Sequence, residues 1–122
     1  AQSEGLSAHL KALIQQGLAL PYIEYQKCVR RVAEIRQQLL EWWDENKVDF
    51  VIAPAAPGVA PNKTHGTGVP FMSRAWQMLG FPTVTLPLYY HGKLPLGLQL
   101  IGRPQQDDAL LQAAQHIKTC VQ

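Results

Sequence analysis

The chain has 122 residues, of which 47% are hydrophobic and 16% charged, with a net charge of +2, four His and two Cys. That is enough for one globular domain, and its ordinary apolar content excludes a disordered tail, a collagen-like repeat or a disulfide scaffold. The only basic cluster, Arg30, Arg31 and Arg36, falls short of the concentrated stripe of a nucleic-acid binder, and no apolar run reaches the ~18 residues of a membrane span. With no signal-peptide pattern either, a soluble, cytoplasmic protein is expected, with no nucleic-acid or membrane partner.

Eight of the nine prolines fall between Pro54 and Pro104, and seven of the nine glycines between Gly58 and Gly102. This divides the chain into a helical part, 1–47, a part of strands and loops with one short helix, 48–104, and a terminal helix, 105–122. All of it reads as one segment, 1–122.

From Ser3 to Gln16, Leu6, Leu10, Leu13 and Ile14 share one helical stripe, with Ser3 able to cap the start and Gly17 to end the run. From Pro21 to Lys47 a second, longer stripe comprises Tyr25, Cys28, Val29, Val32, Ile35, Leu39 and Trp43. Such a helix is about 40 Å long, more than a compact 122-residue ball with a radius of gyration of about 14 Å can cover. Something outside the chain should pack against it. Trp42 and Trp43 point about 100° apart, so one packs inward and the other covers a neighbouring surface.

Asp49 to Pro54 is a short apolar run expected to form a strand buried on both faces. A Pro- and Gly-rich loop follows to about Val69, with Gly66 and Gly68 suited to positive φ. Phe71 to Leu79 forms a short helix with Phe71, Ala75, Met78 and Leu79 on its apolar side and Gly80 as the stop. Thr83 to Tyr90 and Leu96 to Gly102 read as two strands joined through His91 to Pro95, and Pro87 favours an edge position or an irregular ladder. Leu96, Leu98 and Leu100 share one face of the second strand, and Gly97, Gln99 and Ile101 the other. Asp107 or Asp108 caps the last helix, whose stripe is Leu110, Leu111, Ala114, Ile117 and Val121.

Catalytic machinery is not visible. The three serines, Ser3, Ser7 and Ser73, lie in no Gly-x-Ser-x-Gly elbow, and His65-Gly66-Thr67-Gly68, although like an esterase oxyanion loop, has no elbow to serve. The same glycines lack the Lys of a phosphate loop. His9, His65, His91 and His116 stand apart, which gives no metal site and no cofactor, and Cys28 and Cys120 read as one core packer and one exposed bystander. Phe71, Met72 and Trp76 form an aromatic and thioether cluster directly after a glycine-rich loop. Two uses are open to it, the lining of an apolar pocket or the filling of a core.

Asp49-Phe-Val-Ile-Ala-Pro with Pro57 and Ala60-Pro61, then Phe71 and Trp76 ahead of Leu79-Gly-Phe-Pro-Thr-Val-Thr-Leu-Pro87, then Leu94-Pro-Leu-Gly-Leu-Gln-Leu-Ile-Gly-Arg-Pro104 with Asp108-Ala-Leu-Leu111, resembles the carboxy-terminal region of the amidase signature family. The resemblance runs from about Ser3 to Cys120. It implies an α/β architecture, the carboxy-terminal portion of a mixed β-sheet covered by helices, and hydrolysis of a carboxamide C–N bond by a serine that a second serine and a lysine activate. The Gly-Ser-rich stretch and upstream lysine that carry this chemistry are absent, so no catalytic residue is carried over and the chain alone is expected to be inactive.

The resemblance further implies that Thr67 through Trp76 border the acyl side of the substrate pocket, with Thr67, Phe71, Met72 and Trp76 as substrate-binding candidates. Gln77 replaces an Asn that members often have, and an acidic residue of some amidotransferase-like members near Pro70 is missing, which disfavours a free amino-acid-like substrate. The implied partners are the missing amino-terminal catalytic part, a small amide substrate and, for an isolated fragment with exposed edges, a second copy in a homodimer. A start at Ala1 without an initiator methionine agrees with a fragment. The alternative is a stand-alone, non-catalytic binding or assembly module on the same scaffold.

Overall fold

A computed structural model describes residues 5–62, 64, 66 and 68–121. Among the described residues there are four helices, α1 (Ala8–Ala19), α2 (Tyr22–Glu45), α3 (Phe71–Leu79) and α4 (Asp107–Val121), and three strands, β1 (Val51–Pro54), β2 (Thr83–His91) and β3 (Leu94–Ile101), in the order α1-α2-β1-α3-β2-β3-α4. The chain is α/β, and its contacts separate into two compact units, within residues 1–34 and within 35–122.

The first unit holds α1 and the start of α2. Helix α1 begins four or five residues later than the sequence suggested, because Ser7, in extended conformation, accepts a hydrogen bond on its hydroxyl from the Leu10 N–H at 3.2 Å. The suggested cap, Ser3, lies outside the described residues. Gly17 does not end the helix either. The stop comes at Leu20, held extended with ψ 123° beside Pro21, whose ring excludes the helical conformation from the preceding residue. None of the described residues of this unit is buried, and Tyr25, Cys28 and Val29, expected on a packed stripe, are exposed. Cys28 is therefore not a core packer.

In the second unit the same stripe of α2 finds partners. Ile35 and Leu39 are half-buried, Trp43 is fully buried and Trp42 is exposed, so the two tryptophans divide as their angular separation requires. Trp43 stacks on Phe81 with ring centroids 5.5 Å apart, and the Arg103 guanidinium lies over its ring at 5.9 Å while pairing with Asp44.

The sheet order is β1-β3-β2, with both pairs antiparallel. Directly opposed residues share a face, so Val84, Leu86, Leu98 and Leu100 look one way. Leu110 and Ala114 of α4 pack against them, with Phe50, Leu88, Ala113 and Ile117 around the edge. Leu111 and Val121, expected on the inward stripe, face solvent, since a helix on a three-stranded sheet buries only a narrow band. Neither Asp107 nor Asp108 is the expected cap: α4 begins at Asp107 and the Gln106 carbonyl accepts from the Leu110 N–H at 3.1 Å, so both carboxylates stand in the first turn, where their charge complements the helix dipole.

Strand β1 departs from expectation. Rather than being buried on both faces it alternates, with Ile52 64% exposed, because it is an edge strand that nothing among the described residues covers on that side. Strand β3 takes the central position, and Gln99, Leu100 and Ile101 are all buried. The hairpin is tighter than the five residues suggested: only Gly92 and Lys93 lie between the strands, with φ 62° at Gly92. The ladder shifts register between Pro87 and Tyr89, the irregularity that a mid-strand proline predicts.

Candidate functional site

Helix α3 carries most of the candidate residues, and local chemistry fixes both its ends. It starts on Pro70, which offers no side-chain cap, with the Phe71 N–H donating to the Val69 carbonyl at 2.7 Å. It stops at Gly80, whose left-handed conformation (φ 72°, ψ 36°) lets its N–H reach the Gln77 carbonyl at 3.2 Å and the Phe81 N–H reach the Trp76 carbonyl at 3.0 Å. This paired bonding is the Schellman motif, and glycine suits it because no Cβ resists positive φ.

The inward side of α3 is not the one the sequence suggested. Phe71 is 72% exposed and Met78 also faces solvent, whereas Met72 and Trp76 are half-buried and Leu79 is buried. Phe81 sets this rotation, since it follows the glycine and offers an apolar anchor. Trp76 meets it edge to face at 6.1 Å, and Phe81 in turn stacks on Trp43.

Phe71 and Met72 come together in one concavity with Ala55, Ala56, Val69 and Ser73. Trp76 is not among the residues lining it, and Thr67 lies outside the described residues, as does His65. A second groove of about 530 Å³ adjoins the first through Ala55, Ala56, Gly68 and Val69. Its lining also includes Pro57, Val59 and Pro61 from the loop and Thr85, Pro87, Pro95 and Gly97 from β2 and β3. Gly66 and Gly68 have φ 77° and 82°, the positive values expected of this loop.

Sequence reasoning did not single out Gly97 for this role. A Cβ there would stand 2.7 Å from Thr85 Cγ2 and 2.8 Å from the Ala55 Cβ, so glycine is what allows the loop to close onto the strand. The Ala55 N–H donates to the Gly97 carbonyl at 2.8 Å and extends the β1-β3 ladder into the groove. The signal was a glycine inside a strand of large residues, a frequent mark of close backbone approach.

Chemically, the described lining is apolar, with the Thr85 and Ser73 hydroxyls as its polar side chains. Among the described residues, no His, Lys, Asp or Glu lines either concavity. Among the described residues there is no group of three or more His, Cys, Asp or Glu able to hold a metal ion, and no helix is long and apolar enough to cross a membrane. The described part of the lining suits contact with an uncharged, apolar group.

No family model matches the chain. It is 28% identical over 123 aligned residues to a subunit of the glutamyl-tRNA(Gln) amidotransferase of Carboxydothermus hydrogenoformans, covering 93% of this chain and 25% of that protein. It is 32% identical over 116 residues to a fatty acid amide hydrolase of Medicago truncatula, covering 84% of this chain and 18% of that protein. A crystal structure of an amidase superimposes on 98% of this chain and 30% of its own, with a TM-score of 0.81 and 22% sequence identity. The fold is thus that of a segment of an α/β amidase. The chain belongs to the amidase signature family and corresponds to a carboxy-terminal segment, spanning about a quarter or less of the length of the relatives it matches.

Proposed function

We propose that the chain is the carboxy-terminal part of an amidase that hydrolyses a carboxamide C–N bond when complete, and that alone it turns nothing over. The observation that carries this is coverage: the match takes in most of this chain but only 18–25% of the relatives. The Gly-Ser-rich stretch and the lysine that would form and activate the nucleophile are not in these 122 residues. The whole enzyme works in the cytoplasm on a small amide, with its amino-terminal catalytic part as the partner of this segment.

Within that enzyme the segment supplies sheet and one wall of the substrate site. Phe71 and Met72 face the acyl group and Trp76 holds α3 at the required angle through Phe81, while Thr67 keeps its candidacy from the family resemblance alone. The lining binds and orients an apolar substituent and keeps water from it, while proton transfer and nucleophilic attack come from the other part.

The test compares amide hydrolysis by this chain alone with that of the same segment joined to an upstream region bearing the Gly-Ser-rich stretch. Turnover only from the joined protein is the expected result, and serine-reagent-sensitive turnover from the isolated chain would overturn the reading. Alone, the chain leaves Ile52 and the outer edge of β1 uncovered and is expected to pair with a second copy. Sedimentation at rising concentration should reveal a dimer; a strict monomer that ignores a hydrophobic dye would contradict it.

A further inference from the structure

Helix α4 carries a pair of side chains that the amidase reading does not use. His116 and Cys120 stand four residues apart, one turn along the same side of the helix. The His116 Nε2 and the Cys120 Sγ lie 3.7 Å apart, and both residues are exposed. We infer that His116 and Cys120 form a two-ligand chelate for a borderline-soft divalent cation, with Zn²⁺ as the type.

The spacing carries the inference. In a tetrahedral site with a metal–sulfur bond of ~2.3 Å and a metal–nitrogen bond of ~2.0 Å, the two ligand atoms are separated by ~3.5 Å. The observed 3.7 Å needs an adjustment of only about 0.2 Å, which an exposed side chain makes by a small torsion. Two ligands at i and i+4 on a helix are the arrangement that other zinc sites use to present donors to one ion. The neighbouring hydroxyl does not compete, because the Thr119 Oγ1 turns back onto the His116 and Gln115 carbonyls at 2.7 and 3.1 Å. Upon binding, the Cys120 thiol gives its proton to solvent, the thiolate and the neutral imidazole nitrogen each donate a lone pair, and water fills the remaining positions.

Cys28 supplies an internal control. Its neighbours one turn away, Glu24, Tyr25, Arg31 and Val32, include no histidine, so this thiol has no nitrogen partner on its own helix.

The experiment is a Co²⁺ titration of the 122-residue chain under reducing conditions, following the thiolate-to-cobalt absorption band and its displacement by Zn²⁺. One ion per chain is expected. Cys28→Ser should leave the band and its midpoint unchanged, Cys120→Ser should abolish the band, and His116→Ala should weaken binding about a hundredfold, the loss expected when a second, tethered ligand is removed. A band that survives Cys120→Ser, or a midpoint that His116→Ala does not move, would overturn the assignment. Should a variant lose helicity by circular dichroism, the His116 ring resonances of the unaltered chain decide. A shift on adding Zn²⁺ supports the chelate, and no shift overturns it.

Discussion

Residues 5–34 and residues 35–121 both contain helices with apolar stripes and treat them differently. In the first group Leu10, Leu13, Ile14, Leu18 and Ile23 are all more than two-fifths exposed, and no described residue is buried. In the second, Trp43, Leu100, Ile101 and Leu110 are sealed almost completely. An amphipathic stripe records that a helix was built to be covered, and burial records that the cover is present. Within this chain only the second group has its cover, as expected of a segment about a quarter the length of its relatives.

That contrast sets the sizes of mutational effects. The largest is expected for Trp43→Ala, which removes a fully buried indole together with its stacking on Phe81 and its contact with Arg103. A loss of about 3–5 kcal/mol in thermal or urea unfolding is expected, enough to unfold a marginal unit of this size. A loss below about 1 kcal/mol would mean that residues 35–121 are not the cohesive unit described above.

Gly97→Ala comes next. Two contacts under 3 Å must be relieved, so the loop that carries Ala55 lifts from β3, at about 1–3 kcal/mol. Amide exchange at Ala55 should quicken, because its hydrogen bond to the Gly97 carbonyl holds the groove shut. An unchanged exchange rate there would detach the loop from the strand. The smallest effect belongs to Leu13→Ala in α1, expected within about 0.5 kcal/mol because the side chain is already half exposed. If joining the catalytic part raises that cost to about 2 kcal/mol or more, the stripe has found its cover.

The features legible from sequence were those decided by chemistry within a few residues. The stop at Gly80, the anions in the first turn of α4, the irregularity at Pro87 and the division between Trp42 and Trp43 all belong to this kind. The start of α1 was misplaced because Ser3 and Ser7 are both competent caps and composition does not rank them. Burial was less legible. Ile52 and Cys28 carry patterns that call for packing, and whether they are packed depends on partners the pattern does not name. In the candidate site, the apolar cluster on α3 was visible, but its rotation was not. Phe81, beyond the helix, decides that Trp76 turns inward while Phe71 stays open.

The register shift at Pro87 bears on how the sheet can grow. With a residue that has no N–H to donate and a local break in the ladder, β2 is a poor template along its outer side. Strand β1, at the opposite margin, has no such interruption before its last residue, Pro54. Among the described residues, the uninterrupted free edge of the sheet is thus that of β1.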